Sequence, residues 1–202
     1  MTLRLRTKAW KRVVDAFIDE GVESGALMVH DRKDLGETIL EEKHKLVTRV
    51  IFLLNITKVG ENACYYAVDL VVVDISDGVV RISKSAFGAC KSLTTVSFPT
   101  TLTKIDNFAF ESCWSLENVD LLHTNRQGLG SYAFYYCREL KSMMIPDSLQ
   151  TLGDDVFYGC SKLIPSSIDV NEDDDAVVAH LRSSKLMNHL SQLYIKTSYF
   201  YP

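Results

Sequence analysis

The sequence of 202 residues has no long hydrophobic run. Its longest stretch of aliphatic and phenylalanine residues, Val50 to Leu54, has five, whereas a helix crossing a bilayer needs about 20. No membrane span is therefore expected. No strong excess of one charge is present either: 22 Lys and Arg against 26 Asp and Glu give a net charge of −4. A protein whose main affinity is for nucleic acid phosphates needs a basic field, so that partner class is excluded as an expectation. The ten glycines form no phosphate loop, and no serine or cysteine sits in a recognisable nucleophile motif. The five histidines, His30, His44, His123, His180 and His189, show none of the paired spacings that a zinc site uses. The sequence thus predicts no enzyme, no cofactor and no metal.

A secretory leader is not recognisable, so a cytoplasmic location with reduced cysteines is the expectation. The first twelve residues carry Arg4, Arg6, Lys8, Lys11 and Arg12 and no acid. That segment is an alternative organelle signal, but it reads more simply as the solvated face of an amphipathic helix. With 47% hydrophobic and 24% charged residues, the chain has the composition of a folded protein rather than a disordered one.

Four copies of one pattern fill the second half: Ala86-Phe87, Cys90, Leu93; Ala109-Phe110, Cys113, Leu116; Ala133-Phe134, Cys137, Leu140; and Val156-Phe157, Cys160, Leu163. Each begins 23 or 24 residues after the last, and such a period marks a solenoid. An apolar residue precedes each Phe by five positions: Ile82, Ile105, Leu129 and Leu152. After the Leu comes period-2 alternation, as in Val96 and Phe98, Val119 and Leu121, Met143 and Ile145, which predicts a strand with one buried face. The Ala-Phe-x-x-Cys stretch is too short for more than a single helical turn, which is expected on the side opposite the strand.

The register also exposes degenerate copies. Val59, Ala63, Cys64, Ala67, Leu70, Val73 and Ile75 occupy the positions of Ile82, Ala86, Phe87, Cys90, Leu93, Val96 and Phe98. Val47, Val50, Phe52 and Ile56 continue the pattern one period earlier, so the first strand of the stack is expected near residue 48. Beyond Ile168 the apolar positions are taken by Glu172 and Asp175, and unpaired carboxylates are too costly to bury. Three segments follow: 1–46, a partly helical cap built on Trp10, Val13, Val14, Phe17 and Ile18; 47–170, the solenoid; and 171–202, a capping helix and tail. Leu27 and Val29 suggest a short strand, and 38–45 a helix.

The repeat Ile-x-x-x-Ala-Phe-x-x-Cys-x-x-Leu-x-x-Val-x-Phe/Ile-Pro resembles the BspA-like, or surface-antigen, class of leucine-rich repeats. The likeness is close over 82–168 and looser over 47–81. It implies an α/β repeat solenoid: a right-handed, leucine-rich-repeat-like stack of about five repeats, one parallel β-sheet face, short helical turns opposite and helical caps at both ends. It further implies a family whose members mostly bind proteins, the secreted ones resembling adhesins for extracellular matrix.

Cys90, Cys113, Cys137 and Cys160 should form a column, one per rung. Cysteine is a small hydrophobe, and Ala67 fills the same slot, so packing is expected, with thiol redox or metal chemistry as the alternative. The outward strand residues should form two ladders: Arg49, Val72, Thr95, Asn118, Ser142; and Ile51, Asp74, Ser97, Asp120, Met144. Together with His123 and Arg126, in a turn one residue longer than its equivalents, these are the candidate partner-binding residues. The functional expectation is a monomeric, non-enzymatic protein-interaction module; the alternatives are a matrix-binding surface adhesin and a thiol protein.

Overall fold

The structure is a computed structural model describing residues 26–29, 47–52, 56–125, 128–146, 149–163 and 168–170, with backbone alone for 26–29 and 168–170. Twelve parallel strands wind through it: β1 (Ala26–Val29), β2 (Arg49–Phe52), β3 (Lys58–Val59), β4 (Val72–Ile75), β5 (Arg81–Ile82), β6 (Thr95–Ser97), β7 (Lys104–Ile105), β8 (Asn118–Asp120), β9 (Gly128–Leu129), β10 (Ser142–Ile145), β11 (Thr151–Leu152) and β12 (Ile168–Val170). Each repeat contributes one strand of three or four residues, a two-residue strand and a tight turn, so the chain is a parallel-strand solenoid.

The alternation read from the sequence sets which way each strand faces. Val50, Phe52, Val73, Ile75, Val96, Val119, Met143 and Ile145 all point into the core, and their neighbours point out. Each large side chain so buried contributes about 1.5–3 kcal/mol of transfer free energy. The centre is the phenylalanine column. Phe87, Phe110 and Phe134 stack with ring centroids 5.2 and 5.3 Å apart, and Phe157 follows at 6.1 Å. Cys64 stands where the column would continue below Phe87, and Phe52 of β2 meets Phe87 edge-on, at 6.0 Å and 85°.

The expected helical turn is not what forms over 61–66, 84–89, 107–112, 131–136 and 154–159: these are tight non-helical turns. In a helix every amide would bond within its own segment. Here the amides alternate. Those of Ala86, Gly88 and Cys90 donate to carbonyls three residues back, while those of Ser85, Phe87 and Ala89 donate to Asn107, Ala109 and Glu111 of the next rung, at 3.1, 2.8 and 2.7 Å. Two residues per turn adopt positive φ, such as Ser85 at 53° and Ala89 at 60°. A left-handed non-glycine residue costs about 1–2 kcal/mol. Three inter-rung hydrogen bonds from each of the first four turns, each net about 0.5–1.5 kcal/mol, offset it, and unmet buried amides would cost more.

The expected single sheet face is also divided. β1, β2, β4 and β6 form one sheet, and β8, β10 and β12 a second, with no ladder between β6 and β8. Both strands flanking the gap have only three residues, so few ladder bonds are available to bridge it. The third sheet, β3-β5-β7-β9-β11, is unbroken. The strand expected around Leu27 and Val29 is β1, which pairs with β2, Ala26 opposite Arg49 and Val29 opposite Phe52. The stack is therefore joined one strand earlier than residue 48. The expected caps, in 1–25, 30–46 and 171–202, and the acidic stretch 171–175, lie outside the described residues.

Candidate interaction surfaces

The strand face carries the predicted ladders in the predicted register, in two halves. Arg49, Val72 and Thr95 stand opposite one another, as do Ile51, Asp74 and Ser97. Across the gap, Asn118 faces Ser142 and Asp120 faces Met144. These side chains are largely occupied with one another. Arg49 Nε donates to Asp74 Oδ2 at 2.7 Å, and Ser97 Oγ to Asp74 Oδ1 at 3.4 Å. Ser142 Oγ donates to Asn118 Oδ1 at 2.6 Å, and Asp120 Oδ1 accepts the Leu122 amide at 3.0 Å. Beside them Lys141 Nζ donates to Glu117 at 2.8 Å; that bond lowers the Glu117 carboxyl below its ordinary range and raises the Lys141 ammonium. Met144 and His123 are exposed, and Thr124 beside His123 is buried, its hydroxyl donating to the Leu121 carbonyl at 2.5 Å. Arg126 lies outside the described residues.

The cysteine column is fully buried. Each thiol donates to the carbonyl of the residue in the phenylalanine slot one rung earlier: Cys90 to Cys64, Cys113 to Phe87, Cys137 to Phe110 and Cys160 to Phe134, at 3.0 to 3.2 Å. Sulfur thus adds a weak directional donor to a small apolar volume. Burial pushes the Cys90 thiol up to about 12 and raises Cys64, Cys113 and Cys137 well above the ordinary thiol range. Because the thiolate is the nucleophile and the ligand, this environment suits packing rather than redox or metal chemistry. Among the described residues no group of three His, Cys, Asp or Glu is placed to hold a metal ion.

The turn face holds the residues that the sequence reading passed over. Four positions after the phenylalanine slot, successive rungs place Lys91, Trp114 and Arg138. Lys91 Nζ lies 4.4 Å from the indole centroid and the Arg138 guanidinium 4.8 Å from it, each within cation–π range. Lys91 also reaches the Tyr66 ring at 5.9 Å, and Arg138 the Tyr136 ring at 5.5 Å. From Tyr136 the contacts run on through Tyr135 and Tyr158 to Tyr132 and Phe108, with Phe108 and Tyr132 stacked at 4.9 Å. Partial burial, and then the neighbouring Tyr136 and Tyr158, raise the Tyr135 phenol above its ordinary value. Tyr65 and Tyr66, at 43% and 53% exposure, begin the same surface. Gly159, at φ 79°, lies beneath the Tyr136 ring, where a Cβ would come within 2.6 Å of it. The signal was available in the sequence as a column of variable residues at a fixed offset from the phenylalanine.

A family model described as the BspA type leucine rich repeat region matches residues 57–174 in six copies, more than half of the chain. No curated protein matches. Among solved structures, the leucine rich repeat protein TpLRR of T. pallidum is similar at 23% identity and TM-score 0.55, over 69% of this chain and 61% of that one. A leucine-rich repeat protein from Bacteroides ovatus gives 24% and 0.58, over 73% and 43%. The pneumococcal vaccine antigen PcpA gives 19% and 0.58, over 78% and 39%. The chain thus spans less than two thirds of the length of each of these structures, and at such identities the likeness establishes the fold.

Proposed function

The chain belongs to the BspA-type leucine-rich repeat family, and on that footing we propose that it is a non-enzymatic protein-interaction module, a monomeric scaffold that takes a protein partner. The observation that carries this reading is the division of labour along the repeat. Inward positions recur from rung to rung, while outward positions vary and remain exposed on a regular frame. A family of repeat scaffolds and buried thiols agree with a binding role rather than a catalytic one. The strand ladders at Arg49, Val72, Asp74, Thr95, Ser97, Asn118, Asp120, Ser142 and Met144, with the turn at His123 and Arg126, are one proposed contact.

Affinity purification from the source cells, with partners identified by mass spectrometry, tests the reading. We expect at least one protein to be recovered in amounts comparable to the bait; recovery of none would sink the module reading. Repeating it with Asp74→Lys and Asp120→Lys tests the strand face, since unchanged recovery of every partner removes that face. A second reading, display at the cell surface as a matrix-binding protein, draws on the description of the pneumococcal neighbour as a vaccine antigen. No described helix is long and apolar enough to cross a membrane. Cell fractionation decides between surface display and the cytoplasmic location expected from the sequence.

A further inference from the structure

Most of the cations described in this structure are already engaged with carboxylates. Arg49 pairs with Asp74, Arg81 and Lys104 with Asp106, Lys141 with Glu117 and Lys162 with Glu139. Lys84, Lys91 and Arg138 pair with none among the described residues, and Glu111, in the turn between the last two, forms an ion pair with neither. Lys91 and Arg138 instead lie over the one indole of the solenoid, with tyrosine rings on either side. In a chain of net charge −4, two cations left without counter-ions on a tyrosine- and tryptophan-rich surface form a local exception. Tyr, Trp and Arg are also the residue types that dominate the energetics of protein interfaces.

We propose that the turn face around Trp114 binds an acidic segment of a partner protein, with Lys91 and Arg138 each receiving a carboxylate and the tyrosine hydroxyls of Tyr66 and Tyr136 bonding to the partner's polar groups. The inference rests on the module reading and names the chemistry of its partner. The two charged groups lie 4.4 and 4.8 Å from the same indole centroid, so they are no more than about 9 Å apart, as residues two rungs apart at the parallel strand spacing of about 4.8 Å can be. Two carboxylates at alternate positions of an extended segment project from one face about 7 Å apart, and their side chains span the remainder. A polyanion such as a sulfated glycan or a nucleic acid is the poorer fit, because its affinity comes from a broad basic field and only Lys91 and Arg138 lie at the indole. The rings hold the cations in place before the partner arrives, which reduces the side-chain ordering that binding must impose.

The test titrates the isotope-labelled full chain with two short peptides, one carrying paired glutamates and the other identical except for glutamines, and with a heparin-derived oligosaccharide. The readout is the Trp114 indole N–H signal, identified by its loss in Trp114→Phe. We expect a saturable shift with the glutamate peptide, suppressed by salt, absent with the glutamine peptide and about tenfold weaker in Lys91→Gln/Arg138→Gln. Equal response to both peptides, undiminished affinity in a double variant that melts like the wild type, or a response to the oligosaccharide alone would each overturn the inference. A cellular partner lost with Asp74→Lys and Asp120→Lys but indifferent to Lys91→Gln/Arg138→Gln would overturn it as well, leaving the module reading intact. Glutamate-peptide binding in a chain that recovers no cellular partner would uphold the surface chemistry and remove the module reading.

Discussion

The strand face and the turn face are built from the same repeats, and they use their outward positions in opposite ways. On the strand face small polar groups meet laterally: Arg49 binds Asp74, and Ser142 binds Asn118. On the turn face large rings stack along the axis with two cations that pair with no carboxylate among the described residues. Lateral pairing satisfies the strand face internally, so little of its chemistry is left for a partner. Aromatic stacking leaves ring edges, hydroxyls and positive charge facing outward. What differs is the allocation of polar capacity, and that difference is the ground on which the acidic partner is proposed for the turn face.

Three measurements test how far that contrast extends into the body of the molecule. The largest effect is expected for Phe110→Ala, because Phe110 lies between Phe87 and Phe134 and also receives the edge of Phe98 at 5.8 Å. A loss of about 3–5 kcal/mol in chemical denaturation is expected, and both faces should suffer together. A loss below about 1 kcal/mol would mean that the column is not the shared core.

The next expected effect is alkaline and belongs to the turn side alone. The Cys64, Cys90, Cys113 and Cys137 thiols titrate higher in the folded chain than the ordinary value of 9.0, with Cys90 at about 12. The unfolded chain therefore releases these protons first. Stability is fully present below pH 9 and declines as pH rises from there toward the folded value. By one pH unit above the ordinary value Cys90 should have lost about 1.4 kcal/mol. Urea midpoints followed upward from neutral pH, in wild type and in Cys90→Ala, show whether the slope is shallower in the variant; identical slopes would remove the thiol as the cause.

The smallest effect is expected on the strand face. Arg49 and Asp74 are 45% and 27% exposed, and a pair so open to solvent is worth about 0.2–1 kcal/mol. A double-mutant cycle through Arg49→Gln and Asp74→Asn should return a coupling in that range and shrinking with salt. A larger, salt-resistant coupling would mean that the strand face is organised more rigidly than its exposure suggests.

The sequence disclosed the fold largely through what recurs. The period, the inward residues and the strand register could be read from Phe, Cys and Leu alone, and Ile56, Ile82 and Leu129 are buried as the spacing predicts. The turn was misjudged because a single helical turn and an alternating left-handed turn need the same apolar spacing. Their difference lies in φ at Ser85, Phe108 or Tyr132, residue types that carry no glycine-like signal for that conformation. The gap between β6 and β8 left no trace in a repeat that is regular on either side. The turn surface escaped because Lys91, Trp114 and Arg138 share a position without sharing a character, and repetition singles out likeness.

The alternating amides of the turns make each rung directional. On the turn side it gives hydrogen bonds forward and receives them from behind, whereas along the strands bonds run both ways, as when the Asp106 amide donates back to Ile82 and the Leu121 amide forward to Met144. Any rung therefore presents to its successor the same connector that it met in its predecessor. A whole period can be added to or removed from such a chain and the flanking rungs will still mate, whereas a fraction of a period must be looped out at its own joint, as the longer turn after Leu121 is, for β8 and β10 to pair in register. Length is thus a freely adjustable property of this architecture, in quanta of one rung, and the reach of its binding surface adjusts with it.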